Sequence, residues 1–230
     1  MNYLILFLLI ISIMVIGRNN FINILSNIIN PQPKNKWIVL LTMCVNPNQT
    51  DNSNTEEQIN YRKNLYINVI NNWLNKTSLP IYVVESSGYT FDEIKNNRLT
   101  VFSFQGDKYG NSSLAEKYSI LYALERLESV NCTHILKVTG KYFLKNIEYV
   151  LNYLPNNYDI YIQQHKIPGF QNTEYYGIKK ELFYDFVNTC CDNIMEDHMY
   201  KYMMKKKIMN IPFKFKNNIA RGDGSIIKNL

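Results

Sequence analysis

The chain has 230 residues, which suits one domain of about 150–250 residues plus an appendage. With 46% of it apolar it can bury a sizeable core, so a disordered chain is excluded. The formal net charge is +6, and four scattered cysteines with three histidines and no C-x-x-C pair exclude a disulfide scaffold, a zinc finger and a zinc hydrolase.

Asn, Ile, Lys and Tyr supply 98 residues. Their codons are AT-rich, so many of the Asn and Lys reflect genome composition and carry no functional signal. Charge is segregated: residues 1–36 carry +3, residues 37–200 carry −4 and residues 201–230 carry +7. A nucleic-acid-binding protein would more often spread its cations over the folded surface, so no nucleic acid is expected. The basic end suits one local anion, a diphosphate or a membrane surface. The alternative is a solvated cluster at Lys205, Lys206 and Lys207.

Tyr3 to Ile16 is uninterruptedly apolar. As a helix it is about 21 Å long, short of the roughly 30 Å hydrocarbon core; Met1, Asn2 and Gly17 lengthen it. Phe21 to Ile29 is apolar-rich again and suits the interface. Residues 1–30 are therefore expected to be a membrane helix and interfacial segment, with residues 3–17 in the membrane. A cleaved signal peptide would want a basic start and small residues before the cut, and neither is present. The expected location is membrane-anchored and single-pass, on an open side. Arg18, Lys34 and Lys36 favour a cytoplasmic body, and N-x-S/T sequons at Asn48, Asn75, Asn111 and Asn131 favour a lumenal one.

Residues 31–36, with Pro31 and Pro33, read as a linker. Trp37 to Val45 is a continuous apolar run, as expected of a strand buried on both faces. After a polar loop, Thr55 to Asn75 reads as a helix, with Ile59, Tyr66, Val69, Ile70 and Trp73 at helical spacing and Thr55 as its cap. Strands are expected at Ile81–Glu85 and Leu99–Phe104, and a loop at Asp107–Ser113. Leu114–Glu128 reads as a helix and Thr133–Val138 as a strand ending at Thr139-Gly140. Further strands are expected at Tyr158–Gln163 and Glu174–Ile178, helices from Lys180 and over Glu196–Lys205, and a last strand at Ile211–Phe215. Residues 216–230 read as a basic tail. Strand–helix alternation with short apolar strands implies an α/β domain with a mixed, mostly parallel Rossmann-like sheet flanked by helices. Ligands of such sheets sit beyond the carboxyl ends of the strands.

Several residues could carry chemistry there. Lys137-Val138-Thr139-Gly140-Lys141 places two cations and a hydroxyl around a glycine that lets backbone approach a ligand, which suits a phosphate; an ordinary glycine turn with solvated lysines is the bland reading. Arg62, near the inward stripe of the first helix, is either a satisfied ion pair or a phosphate ligand. Glu85 closes an apolar strand and accepts either from a ribose or base, or from its own loop. Glu196-Asp197 opens a helix, where a carboxylate is favoured by the macrodipole whatever its role. Gly177 after Tyr176 can be a tight turn, and Arg221-Gly222-Asp223 a loop over phosphate or nothing. No Asp-x-Asp occurs in the chain.

The order of these motifs, with Tyr61-Arg62-Lys63, Glu85-Ser86-Ser87-Gly88, Glu116 and Lys137-Val138-Thr139-Gly140-Lys141-Tyr142, resembles a group of sugar transferases of bacteria, algae and large DNA viruses that share an E-x-S-G … K-[IV]-T-G-[KR]-Y pattern. These are similar to GT-A glycosyltransferases. The resemblance covers roughly residues 37–215. It implies a GT-A-like domain that moves a sugar from a nucleotide-sugar donor to a hydroxyl of a glycan, glycolipid or glycoprotein. Arg62, Glu85, Asp107, Lys137, Thr139, Gly140, Lys141 and Arg221 would bind the donor. Tyr176 and Gly177 would bind the acceptor. Asp197, with Glu196 beside it, would be the base of an inverting transfer. The sequence departs from the family where Gly110-Asn111-Ser112-Ser113 lacks a second glycine. It departs again where Lys137-Val138-Thr139 stands in place of Asp-x-Asp. The second departure implies a site without a divalent metal, in which cations meet the diphosphate charge. The alternative is a catalytically inactive, membrane-anchored glycan-binding or scaffolding relative.

Overall fold

The computed structural model describes residues 35–47, 54–106, 111–163, 169, 171–190, 194–211, 218–220 and 226–228. Its centre is β1 (Trp37–Met43), in which all seven side chains are buried. That is why the run shows no alternation: helices cover both of its faces. β2 (Ile81–Glu85), β3 (Leu99–Ser103) and β4 (His134–Thr139) all run parallel to it. β5 (Ile160–Ile162), β6 (Tyr175–Lys179) and β7 (Ile208–Asn210) complete a seven-stranded sheet of order β3-β2-β1-β4-β6-β5-β7. β6 is antiparallel to both β4 and β5, and it alone runs against the other six. β8 (Asn218–Ala220) and β9 (Ile226–Lys228) form a separate antiparallel pair.

Two apolar layers sandwich the sheet. On one face α1 (Glu56–Lys76) buries Tyr66, Val69, Ile70 and Trp73 against Val39, Leu41, Leu136 and Val138, and α3 (Ile147–Tyr153) adds Ile147, Val150 and Leu151. On the other face α2 (Ser112–Leu127), α4 (Lys180–Asn188) and α5 (Met195–Met203) pack on Ile38, Leu40, Ile135 and Ile178. Thr55 caps α1 through a reciprocal pair: Gln58 N–H donates to Thr55 Oγ1 at 3.2 Å and Thr55 N–H to Gln58 Oε1 at 2.9 Å.

The expected mixed, mostly parallel α/β sheet is present, with differences near its end. α3 was not expected, because seven residues are too few to show a helical period. β7 lies upstream of the expected Ile211–Phe215 strand. Its side chains are half-buried or exposed; of the expected strand only Ile211 is among the described residues, buried and donating its N–H to Ile162 O at 2.7 Å. Among the described residues no helix is long and apolar enough to cross a membrane, and the anchor expected over residues 1–30, like most of the linker, lies outside them.

Two glycines permit close packing in the sheet. A Cβ at Gly140 would lie 2.9 Å from both Thr42 O and Met43 Cε, and one at Gly177 would lie 2.9 Å from the Trp37 ring. Gly140 therefore makes room for β1. Gly140→Ala is expected to cost about 1–3 kcal/mol through overpacking, measured by urea denaturation.

Candidate functional site at the ends of β1 and β4

Strand alternation sends Ile135, Lys137 and Thr139 toward α2, and Leu136 and Val138 toward α1. Lys137 therefore enters an apolar layer and is fully buried. An ammonium there must be paired. Lys137 Nζ lies 2.5 Å from Glu116 Oε1 and donates to Thr173 O at 2.7 Å and Thr139 Oγ1 at 3.2 Å. Thr42 Oγ1 donates to the same Glu116 oxygen at 3.0 Å. The expected donor-binding cation is thus neutralised inside the fold, and Thr139 is bound into the same network. Glu116 had a visible signal as the partner: it lies four residues before Ile120, on the inward stripe of α2.

The other expected lysine emerges on the opposite face. Past the Gly140 turn, Lys141 is half-buried and within electrostatic reach of Arg62 of α1. Burial first, and then the neighbouring guanidinium, hold its pKa below the ordinary lysine range, while the Glu174 carboxylate pulls the other way. Arg62 also faces Cys44 and Tyr66. Burial pushes up both the Cys44 thiol and the Tyr66 hydroxyl, and Arg62 opposes the rise in each. Among the described residues neither Arg62 nor Lys141 forms an ion pair. Two cations with a cysteine and the Tyr66 hydroxyl thus gather at the carboxyl ends of β1 and β4.

The Glu196 carboxylate approaches the same strand end from the α2 side. Glu196 and Asp197 lie in the first turn of α5. Glu196 Oε1 accepts from Thr173 Oγ1 at 3.1 Å, and Met195 N–H donates to Ser113 Oγ at 3.4 Å, so α5 starts against the start of α2. Asp197 is half-buried. Between the cations and these carboxylates runs the segment before β6. Because β6 is reversed, Tyr175 pairs with Val138, and Glu174 O accepts the Thr139 N–H at 2.7 Å. Glu174 therefore sits at the end of β4, where sequence reading had assigned it to a strand.

The remaining expected residues are placed differently. Tyr176 and Gly177 are not an acceptor loop: both are buried in the middle of β6, Tyr176 against Phe183 and Phe186, and Gly177 under Trp37. Glu85 is fully buried and its carboxylate organises its own loop. Oε1 accepts from Val45 N–H at 2.8 Å and from Ser87 Oγ, and Oε2 accepts from Ser87 N–H at 2.9 Å and Tyr89 N–H at 2.7 Å. Both Glu85 oxygens are thus taken up by the loops after β1 and β2, which corrects its assignment to the donor. Asp107 and Arg221 lie outside the described residues. Among the described residues no group of three or more His, Cys, Asp or Glu side chains forms a metal site.

No protein-family model matches the sequence, and no curated protein matches it. Solved structures do. A crystal structure from Desulfovibrio desulfuricans G20, described as a nucleotide-diphospho-sugar transferase, superposes on 77% of this chain and 80% of its own with a TM-score of 0.51 at 12% identity. A cytidylyltransferase of Leptospira borgpetersenii covers 77% and 76% (TM-score 0.46, 14% identity). The glycosyltransferase GlyE of Streptococcus pneumoniae TIGR4 covers 78% of this chain and 46% of its own (TM-score 0.45, 10% identity). The chain shares the α/β fold of the Desulfovibrio protein, and at such identity the likeness is one of fold alone.

Lys137→Met is expected to destabilise the protein by about 3 kcal/mol or more, by stranding Glu116. Lys137→Met with Glu116→Leu is expected to regain most of that loss in thermal denaturation. For Lys141, the charged form is lost as pH rises through a pKa held below the ordinary lysine value. Affinity for pyrophosphate is therefore expected to fall on the alkaline side. In Lys141→Arg, which stays charged, that fall is expected to disappear from calorimetric titrations run at increasing pH.

Proposed function

We propose that the protein is a transferase that takes a sugar from a nucleoside diphosphate and gives it to a hydroxyl of a glycan, glycolipid or glycoprotein. The observation that carries this reading is the pair Arg62 and Lys141, outside any ion pair among the described residues, at the carboxyl ends of β1 and β4. The sheet that carries them has the order β3-β2-β1-β4-β6-β5-β7. Two adjacent cations cost electrostatic energy in the free protein, and a dianionic diphosphate relieves it.

In this reading Arg62 and Lys141 hold the diphosphate without a divalent metal. The acceptor oxygen attacks the anomeric carbon as its proton passes to Asp197, and the bond from that carbon to the phosphate oxygen breaks. The diphosphate leaves with the bonding electrons, and the two cations meet its charge. Attack from the side opposite the leaving group inverts the anomeric carbon, which suits carboxylates on the α5 side and cations on the α1 side. Glu196, fixed by Thr173, helps orient the first turn of α5. The apolar run over residues 3–17 would tether the domain to a membrane.

The test uses the purified full-length chain in detergent. UDP-, GDP- and CMP-sugars are compared by thermal shift and by donor turnover, with and without EDTA. At least one nucleotide is expected to raise the melting temperature, with turnover unchanged by EDTA. Arg62→Ala is expected to weaken binding about tenfold or more. Asp197→Asn is expected to keep the shift and lose at least about a hundredfold in turnover. Absence of any shift or turnover would favour the non-catalytic glycan-binding or scaffolding reading.

A further inference from the structure

We infer that the end of the sheet opposite the candidate site is a docking face, and that its partner is an anionic lipid surface. The inference goes beyond the transferase reading and does not depend on it. β1, β4, β5 and β7 all start at this end, and β6 finishes there. Backbone contacts tie the segments before these strands together. Thr133 N–H donates to Lys36 O at 2.9 Å, Lys180 N–H to Thr133 O at 3.0 Å, and Asp159 N–H to Lys207 O at 2.8 Å. The cluster Lys205, Lys206 and Lys207, which the transfer reaction does not use, therefore stands at the same end of the sheet as Lys36 and Lys180. Residues 201–211 hold four lysines and no acid. Lys36, Lys205 and Lys207 are exposed, and among the described residues they form no ion pair. Asp159 is already met: Lys179 Nζ lies 2.9 Å from one oxygen, and Lys207 N–H donates to the other at 3.0 Å. Exposed Glu128 and Glu181 offset part of the charge and leave this end basic.

Tyrosines stand beside this charge. α3 finishes at this end, because the carbonyl of Leu154, the residue after it, accepts from Asn35 Nδ2 at 3.4 Å. Tyr149 and Tyr153 of α3 are 64% and 72% exposed, with ring centroids 4.7 Å apart. Lys207 Nζ lies over the Tyr158 ring, 4.9 Å from its centroid. Exposed tyrosines interleaved with lysines suit a lipid headgroup layer, where the rings meet the apolar margin and the hydroxyls and ammonium groups stay wet. Lysines near an anionic leaflet are drawn to it. The chain also reaches this face from the apolar run over residues 3–17, entering the sheet through Asn35 and Lys36, and that favours lipid over any other polyanion. The seven residues of β1 span about 20 Å, so docking leaves Arg62 and Lys141, at the carboxyl ends of the strands, clear of the lipid.

The experiment reconstitutes the full chain with phosphatidylcholine, alone or mixed with phosphatidylserine, and reads contact by fluorescence. The wild type has two tryptophans, Trp37 and Trp73, and both are buried, so Tyr153→Trp adds one reporter on the face. With brominated acyl chains, Tyr153→Trp is expected to be quenched well beyond the wild type in the phosphatidylserine mixture. The excess is expected to fall away in phosphatidylcholine alone and in high salt. Joint reversal of Lys36→Glu, Lys205→Glu and Lys207→Glu is expected to remove it; where that variant does not fold, the salt titration gives the same reading. Association with the mixture but not with phosphatidylcholine alone supports the inference and removes the tether over residues 3–17. No excess quenching in the mixture, or an excess that neither lipid charge nor salt alters, overturns the inference. A dimer in detergent that Tyr153→Ser dissolves also overturns it, in favour of a second copy of this chain at the same face. None of these outcomes bears on the transferase reading, which nucleotide binding decides.

Discussion

The structure turns on one buried charge. Lys137 lies wholly out of water in the central layer of the sheet, and an ammonium in that position is tolerated only with its charge met and its donors satisfied. Meeting that demand draws four parts of the chain to one point: Glu116 from α2, Thr42 from β1, Thr139 from β4 itself and the Thr173 carbonyl from the approach to β6. The Thr173 hydroxyl extends the chain of contacts to Glu196, so the position of the α5 carboxylates is coupled to the same pair. Removing one member would leave its partner charged and unpaired beside apolar neighbours, which is why the pair constrains its surroundings more strongly than its net contribution to stability suggests.

Because that charge is neutralised internally, a free positive field at the strand end has to come from elsewhere. Strand alternation and the turn at Gly140 provide it. Lys137 points to the α2 layer, and four residues later Lys141 reaches the α1 layer, where Arg62 stands. Gly140 lets the turn lie directly against Thr42 and Met43. Cations therefore occupy one side of the strand end and the carboxylates of α5 the other, with Glu174 between.

Much of the scaffold was legible along the chain. Trp37–Val45 announced a strand covered on both faces, and the helix spacing from Ile59 to Trp73 with Thr55 before it announced α1. Both signals are local, set by the period of the element and by a cap within one turn. The seven-residue α3 was too short to carry such a signal. The pairing of Lys137 was harder to read, because Lys137 and Glu116 look alike whether each meets the other or a ligand. Glu85 was ambiguous for the same reason. Its acceptors point to Val45, Ser87 and Tyr89, and only the closeness of the loops after β1 and β2 makes that possible.

By itself the sequence determined the α/β alternation, the buried central strands, the amphipathic helices and the stock of charges near the strand ends. Those follow from periodicity and chemistry within a few residues. Tertiary structure alone decided which charges cancel and which stay open. It turned β6 against its neighbours, which carried Glu174 to the site and kept Tyr176 and Gly177 in the core. It paired Lys137 with Glu116, and brought Arg62 within electrostatic reach of Lys141. These outcomes depend on strand direction and on contacts between distant segments, and a linear pattern does not encode the sign of a strand's direction or the partner of a buried charge.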